Sequence, residues 1–464
     1  MSVEPSSGTC GSPQRRLLPA SLPILLLLVC GLSAWPQNEG VAHVALPGLP
    51  EPIYSPDPND SWNRLFYFLF SRRMEVRLSD EFPEGAPFNK EPPGISMRMG
   101  GRGLSTRTFD RTEVGDRPID PFYPASLDAA GPRLVLGDSI YPEFGRALQD
   151  ALTDKAPRTA LARALMQSDL WSAHDLLFTP FLPADEKVLG TRHLEALDLL
   201  ARLIRRIALT TEEIDSLPGN YPAAMKQHSL PELFRKESGW IEVEWFRPRT
   251  HDAIAGFRRV SRIFVKPAHP AGDLHRFLTA ILSHSDDPDA VLDGVALVMQ
   301  LLVIDTQGNL RPTTVTSDVQ IRLFGKTSEG TFTKTSARVY ELSRKLLLRE
   351  PGSGGLISED ENSPVYFGGY EFASGGFEST RGEFHSGPPI QIRLRTRCNF
   401  CHGDNLKRVL TFSVALPPHP PSLRQLDPTA HEEAEFDIEQ KKKEKDYRAL
   451  RDYFDHVPAS VTYH

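Results

Sequence analysis

The spacing of apolar residues changes along this chain, and that change constrains the fold more than any other feature. Between about residues 141 and 277 apolar side chains recur at helical spacing. In one such segment they are Leu194, Leu197, Leu200, Ala201, Ile204 and Ala208. After Pro288 they alternate as in a strand, at Val315, Val319, Ile321 and Leu323. Helical segments followed by strands predict an α+β fold.

Composition and turn residues divide the sequence into five parts. They are a signal peptide at 1–34, a proline- and glycine-rich extended segment at 35–135, an α-helical domain at 136–285, a β-rich domain at 286–420, and a linker with a charged helix at 421–464. The apolar-aromatic run from Trp62 to Phe70 fits either a buried helix or a strand.

Local signals mark individual turns and helix ends. Thr210 followed by Glu213 predicts a capping box at a helix start. The sequence Asp305-Thr306-Gln307-Gly308-Asn309 predicts a tight turn between strands. His174-Asp175 lies in a helical pattern with no nucleophile nearby in sequence, and Lys441-Lys442-Lys443 is interpreted as a solvated helix face.

Charge and size exclude some classes of protein. With 464 residues, 40% hydrophobic and 24% charged, the composition is that of an ordinary soluble globular protein. A net charge of −7 and an isoelectric point near 6.1 give no support to nucleic-acid binding. No nucleic-acid partner is therefore expected.

The N-terminus has the pattern of an export signal. Arg15 and Arg16 precede an apolar run from Leu17 to Leu32, and the small residues Ser33-Ala34 follow it before Trp35. This order predicts cleavage and a periplasmic or other extracytoplasmic location. The alternative is an uncleaved segment that associates the protein with the membrane.

The cysteines fall into two groups. Cys10 and Cys30 lie within the predicted signal, so cleavage would leave only Cys398 and Cys401. Because exported proteins meet an oxidising environment, a free thiol pair is not expected to persist there. The pair is expected to attach a haem, form a short disulfide or bind a metal.

The remaining two cysteines belong to the motif Cys398-Asn399-Phe400-Cys401-His402. Two thiols at this spacing can reach the two vinyl groups of one porphyrin, and the adjacent imidazole can reach the iron. The motif resembles that of the c-type cytochromes over about five residues. The resemblance implies one covalent haem c, with Cys398 and Cys401 as thioether donors and His402 as the axial iron ligand.

The surroundings of the motif differ from those in class I cytochromes c. It lies between two predicted strands, Ile390–Arg397 and Val409–Ala415. In class I cytochromes it lies on an N-terminal helix and a methionine ligand follows, whereas the last methionine here is Met299. A standard class I fold is therefore not expected. On the first strand Arg395 and Arg397 are candidates to neutralise haem propionates, or they form a solvated face.

The sixth iron ligand stays open at this point. Candidates are His385, His419, His431, Met97 and Met99. An open coordination position is equally compatible with the sequence, and it would favour ligand sensing or peroxide chemistry over electron transfer.

These observations predict an exported monohaem c-type cytochrome-like protein. Its expected role is electron transfer outside the cytoplasmic membrane with a redox partner protein that the sequence does not identify. The first alternative is a haem-based enzyme or sensor with an open iron site. The second is an interaction protein without haem, in which zinc or a disulfide staples the Cys-x-x-Cys turn.

Overall fold

The computed structural model describes fifteen stretches of the chain. They are residues 50–78, 95–96, 105–106, 111–118, 135–178, 187–243, 258–269, 272–274, 276–277, 280, 291–326, 332–359, 364–367, 390–393 and 425–456.

Helices in these stretches fall into an N-terminal group of four, a pair of short segments after it, one short helix near residue 345, and a C-terminal pair. They are α1 (Ser61–Phe70), α2 (Tyr141–Thr153), α3 (Ala160–Phe178), α4 (Lys187–Arg206), α5 (Thr211–Asp215), α6 (Tyr221–His228), α7 (Arg344–Arg349), α8 (Glu432–Lys441) and α9 (Lys445–His456). Short 3-10 turns cover Lys236–Ser238 and Pro351–Ser353. None of the helices in the described part combines the length and apolarity that a membrane crossing requires.

The largest sheet is antiparallel, with strand order β10-β9-β8-β7-β6-β5. Its strands are β5 (Ile241–Val243), β6 (Arg259–Pro267), β7 (Leu292–Ile304), β8 (Leu310–Lys326), β9 (Phe332–Leu342) and β10 (Leu356–Glu359). The central strand β7 is buried along nearly its whole length. Burial on both faces explains its almost continuous apolar sequence.

A second, mixed sheet contains the strand that leads towards the Cys-x-x-Cys-His motif. Its order is β11-β12-β1-β4, with strands β1 (Ser71–Leu78), β4 (Arg111–Pro118), β11 (Pro364–Phe367) and β12 (Ile390–Arg393). A separate two-stranded ribbon joins β2 (Ile95–Ser96) to β3 (Ser105–Thr106). The predicted strand from Ile390 is confirmed as far as Arg393, and the rest of it and Val409–Ala415 lie outside the described residues.

Together these elements form an α+β fold, as the apolar periodicity predicted, and it is not that of a class I cytochrome c. The prediction of helical structure throughout 136–285 is wrong for β5 and β6. Their sequences are rich in valine and isoleucine, and β6 gains its hydrogen bonds from β7, which lies about thirty residues later. Such long-range pairing overrides a local helical pattern.

Two apolar clusters each contain residues of both the helices and the large sheet, across the predicted boundary at residue 285. The side-chain amide of Gln167 on α3 donates to the Ile304 carbonyl at 2.8 Å and accepts from the Ile304 N–H at 2.8 Å. Both partners are buried. The last residue of β7 is therefore hydrogen-bonded to a helix of the preceding segment.

The run from Trp62 to Phe70 is a helix within the segment predicted to be extended. Asp60 caps it, because its carboxylate accepts from the N–H groups of Trp62 and Asn63. The buried Asn63 amide in turn accepts from the N–H groups of Ile53 and Tyr54, at 2.9 and 2.7 Å. Residues 53–54 are thereby fixed against α1.

The predicted capping box and turn are both confirmed. The Thr210 side chain accepts from the Glu213 N–H, and the Glu213 carboxylate accepts from the Thr210 N–H. In the turn between β7 and β8 the buried Asp305 carboxylate accepts from the N–H groups of Gln307 and Asn309 at 2.9 and 2.8 Å.

Two details of the predicted faces are corrected. Leu194, placed on the apolar stripe of α4, is 67% exposed. Lys441, interpreted as part of a solvated face, is only 1% exposed. The predicted C-terminal helix is two helices, α8 and α9, and the break between them turns Lys441 inward.

Candidate functional site

The residues predicted to hold a haem lie outside the described part of the chain. They are Cys398, Cys401, His402, Arg395 and Arg397. The sixth-ligand candidates His385, His419, Met97 and Met99 lie outside it as well. The structure describes the chain before and after this segment, at β12 and at residues 425–456.

Before the motif, the chain is held by strand pairing. β12 runs parallel to β1, with Ile390 opposite Arg77 and Gln391 opposite Leu78. On its other side β12 pairs antiparallel with β11. Because β1 continues directly from the buried helix α1, the strand that precedes the motif is joined to the N-terminal part of the core.

After the motif, the chain returns to the edge of the large sheet. Gln425 forms an antiparallel bridge with Val243 of β5. The Leu426 N–H donates to the Glu242 carbonyl at 2.9 Å. Residues 394–424 therefore connect two paired backbone positions.

A buried ion pair stabilises this return. The Arg262 guanidinium donates to both carboxylate oxygens of Glu242 at 2.8 and 2.7 Å, and to the carbonyls of Pro428 and Ala430 at 2.6 and 3.1 Å. Burial raises the pKa of Glu242, and Arg262 opposes that shift. The Arg262 guanidinium also lies 4.7 Å from the centre of the Phe234 ring. These contacts fix residues 428–430 against the sheet.

His431, the one sixth-ligand candidate within the described residues, follows this anchor. It immediately precedes α8. Partial burial and the positive charge of Arg262 lower the pKa of His431. Its imidazole is therefore neutral at pH 7, the protonation state that metal coordination requires. The described residues contain no cluster of three or more His, Cys, Asp or Glu side chains suited to a metal ion.

A second group of charges lies where α9 packs against α3 and the end of α8 meets it. We call it the Trp171 cluster, consisting of Trp171, His174, Asp175, Arg258, Lys441 and Asp446. Lys441, the last residue of α8, donates to an Asp446 carboxylate oxygen at 2.6 Å, and the Trp171 indole N–H donates to the same oxygen at 3.1 Å. The short break between α8 and α9 brings Lys441 and Asp446 together.

The other carboxylate of the cluster connects α3 to the large sheet. Arg258, which immediately precedes β6, donates to Asp175 at 2.6 Å. The Arg258 side chain is only 2% exposed. Helix α3 thus carries contacts to the sheet and to the C-terminal helices within one helical turn.

Burial controls the protonation of the cluster. It lowers the pKa of His174 from 6.5 to about 4, although the nearby Asp446 acts in the opposite direction. Burial also raises the pKa of Asp175. For Asp446 the effect of burial is outweighed by Lys441, so its pKa is lowered. At pH 7 His174 is therefore neutral and Asp446 is charged.

This arrangement stabilises the contact between α3 and the C-terminal helices, and it exposes few polar groups that a solute could bind. Lys441 and Asp446 are 1% and 3% exposed. A buried ion pair of this kind needs its hydrogen bonds to offset the cost of dehydration, and the Trp171 indole supplies one of them. The cluster therefore holds the junction of α8 and α9 on α3.

Sequence reasoning missed this cluster for a physical reason. Lys441 and Asp446 are five residues apart on two different helices, so no within-helix pairing rule connects them. Three consecutive lysines are most often solvated. His174-Asp175 is visible in the sequence, but only the fold shows which charged residues lie near this pair.

Another buried ion pair joins three segments that are distant in sequence. Arg344 of α7 donates from two nitrogens to Asp169 of α3 at distances of 2.6 to 2.9 Å. The Tyr54 hydroxyl donates to the same carboxylate. Burial and the Asp169 charge raise the pKa of Tyr54, so the phenol keeps its proton.

The described elements define an α+β protein whose helices share a core with a six-stranded antiparallel sheet. In comparisons with known proteins, no family model, no curated protein and no solved structure matches this chain.

Proposed function

We propose that this chain is an exported monohaem c-type cytochrome-like protein that transfers electrons outside the cytoplasmic membrane. The observation that carries the proposal is the complete motif Cys398-Asn399-Phe400-Cys401-His402. The partner would be another redox protein.

The donor atoms of the motif fit the group. The thiols of Cys398 and Cys401 would hold the porphyrin covalently, and the imidazole of His402 would bind the iron. When bound, haem c supplies one-electron transfer as its iron changes between ferrous and ferric. Arg395 and Arg397 would balance the propionate charge through charge-assisted hydrogen bonds.

The described ends of the segment support this proposal. Only residues 394–397 separate β12 from Cys398, and the chain is again paired at Gln425. A covalently held cofactor needs a fixed attachment, because a shift in position or solvent exposure would change its reduction potential. The described chain is therefore backbone-paired both before and after the motif.

The test is intact-mass measurement of the full chain matured in a periplasm that contains haem-attachment machinery. We expect the mass of one added haem and a c-type pyridine haemochrome spectrum. Cys398→Ala and Cys401→Ala should each retain one thioether bond. Each variant should therefore shift the spectrum towards that of haem with one free vinyl group, and the double variant should lose covalent haem.

Cys10→Ser is the matched control, because Cys10 lies in the predicted signal and should not affect the added mass. A colourless protein of bare polypeptide mass, whose Cys398 and Cys401 bind zinc or form a disulfide, would contradict the proposal. A haem protein that binds carbon monoxide or turns over peroxide would favour the enzyme or sensor over electron transfer.

Export is tested separately, by the N-terminus of the mature chain. Cleavage after Ala34 should give a mature chain that begins at Trp35. A haem-loaded chain that retains its N-terminal segment and sediments with membranes would instead indicate a membrane-attached protein.

A further inference from the structure

The central strands β7 and β8 lose their regular pairing over a short stretch. Met299 of β7 lies opposite Asp318 of β8. The next pair joins Gln300 to Thr316, so Ser317 is an extra residue on β8. This pattern is that of a β-bulge, in which the ladder of backbone hydrogen bonds is interrupted. A bulge between two buried strands leaves polar groups that need other partners.

Side-chain hydroxyls of β8 supply such partners on either side of Gln300. The Ser317 hydroxyl donates to the carbonyl of Met299, the residue before it, at 3.2 Å. The Thr313 hydroxyl donates to the carbonyl of Leu301, the residue after Gln300, at 2.9 Å. Both hydroxyl-bearing residues are buried. The bulge is therefore held by side chains of β8 as well as by backbone pairing.

The pair at the centre of the bulge is buried without such partners. Gln300 is 4% exposed and Thr316 is 0% exposed. In the described part of the chain, neither the Gln300 Oε1 atom nor the Thr316 Oγ1 atom has a hydrogen-bond partner. The backbone of Thr316 is satisfied, because its N–H donates to the Asn220 Oδ1 atom at 2.7 Å and its carbonyl accepts from the same amide at 3.0 Å. Buried polar atoms nearly always have a partner, so these two side-chain oxygens indicate a bound ligand.

Strand register brings the two side chains together and limits what they can bind. Residues directly opposite in an antiparallel pair have Cβ atoms about 4.5–5.5 Å apart on the same face of the sheet. Only a small ligand fits between side chains at that separation. An amide oxygen accepts but cannot donate, so the ligand must be a hydrogen-bond donor. Both side chains are uncharged, and water is the neutral donor that commonly joins buried polar groups.

We infer that Gln300 and Thr316 bind one internal water molecule, which bridges β7 and β8 at the bulge. The water donates to Gln300 Oε1 and forms a second hydrogen bond with the Thr316 hydroxyl. It thereby fixes the bulge at the position where Asn220, at the start of α6, holds the Thr316 backbone. This inference does not depend on the proposed haem chemistry.

Oxygen-17 magnetic relaxation dispersion of the full chain tests the inference, because its amplitude counts water molecules that stay bound longer than the protein takes to tumble. Thr316→Val keeps the shape of the side chain and removes the hydroxyl. It should lower the amplitude by that of one water molecule. Gln300→Met, which removes the other partner of the water, should give the same loss and serves if Thr316→Val does not fold.

Thr314→Val is the matched control, since it makes the same substitution on β8 at an exposed residue. The Thr314 hydroxyl already has a protein partner, because it donates to the Leu217 carbonyl at 3.0 Å. This variant should keep the wild-type amplitude. A wild-type amplitude in Thr316→Val or in Gln300→Met would overturn the inference.

Denaturant unfolding gives a second test, through the sign of the change. With the water bound, Thr316→Val should raise the unfolding equilibrium constant roughly two- to tenfold, because Gln300 is left buried without a partner. With no water, the variant would replace an unpaired buried hydroxyl with a methyl group and lower that constant, which would contradict the inference.

The double variant Gln300→Met, Thr316→Val shows whether the two oxygens share one ligand. It should raise the unfolding constant by less than the product of the two single effects, because either single change already removes the water. Single effects that multiply in full would mean that the two side chains act independently, and the bridging water would be rejected.

Discussion

At the scale of residues, buried ion pairs join segments that lie far apart in the sequence. Asp169 connects Arg344, near the end of the large sheet, to Tyr54, before the first helix. The Asp169 and Arg344 side chains are 1% and 7% exposed. Removing one partner of such a pair leaves an uncompensated buried charge, whereas loss of an exposed pair is compensated by water.

Asp169→Asn should lower the free energy of unfolding by about 3–5 kcal/mol, because Arg344 stays buried without its counter-charge. Chemical denaturation at pH 7 measures the loss. Asp150→Asn is the control, since Asp150 is 55% exposed in its pair with Arg64, and it should cost less than about 1 kcal/mol. Equal losses of unfolding free energy in the two variants would show that the buried Asp169–Arg344 pair contributes no more to stability than an exposed pair.

Single residues also show where sequence reasoning ends. Thr210 was predicted correctly, because its partner Glu213 lies within the same turn of chain. Leu194 and Lys441 were placed on the wrong faces, because burial depends on which elements pack on the helix. Helical spacing defines which residues share a face but not how wide the buried part of that face is.

At the scale of elements, close packing of a turn on a helix needs glycine. Gly354 follows the 3-10 turn after α7, and its φ of 74° is in the left-handed region. A Cβ atom there would lie 2.3 Å from the Ala224 nitrogen of α6. The Asn220 amide donates to the Gly354 carbonyl at 2.8 Å and to the Thr316 carbonyl of β8 at 3.0 Å. The turn, α6 and the sheet therefore meet at this position.

Gly354→Ala should destabilise the protein by about 2–5 kcal/mol, the sum of left-handed backbone strain and overpacking against α6. Thermal or denaturant unfolding measures the change. The matched control is Gly352→Ala in the same turn, where a Cβ atom meets nothing within 4 Å, and it should change stability by no more than about 1 kcal/mol. A mild effect of Gly354→Ala would mean that α6 and the turn can separate without cost.

Elements formed by local signals were predictable, and those formed by long-range pairing were not. The turn at Asp305–Asn309 follows from side-chain to backbone hydrogen bonds within five residues. Strand β6 instead depends on its register with β7, in which Val260 lies opposite Gln300. No local pattern specifies a partner at that separation, so the sequence assigned this stretch to helix.

At the scale of the whole molecule, the fold class follows from the periodicity of apolar residues, but the packing of the helices on the sheet does not. The α+β class was predictable because helical and alternating patterns occupy different stretches. The shared core was not, since Gln167 and Ile304 are 137 residues apart. Of the candidate haem site, the sequence alone supplies the residues and their spacing, and the described chain adds the pairing of β12 and of Gln425 on either side.

The account as a whole depends on whether Cys398 and Cys401 attach a haem. Intact mass of the periplasmically matured chain, read together with its pyridine haemochrome spectrum, decides this. We expect the mass of one haem above that of the polypeptide in the wild type and no covalent addition in the Cys398→Ala and Cys401→Ala double variant. A wild-type chain of bare mass, with both thiols open to alkylation after reduction, would contradict the account.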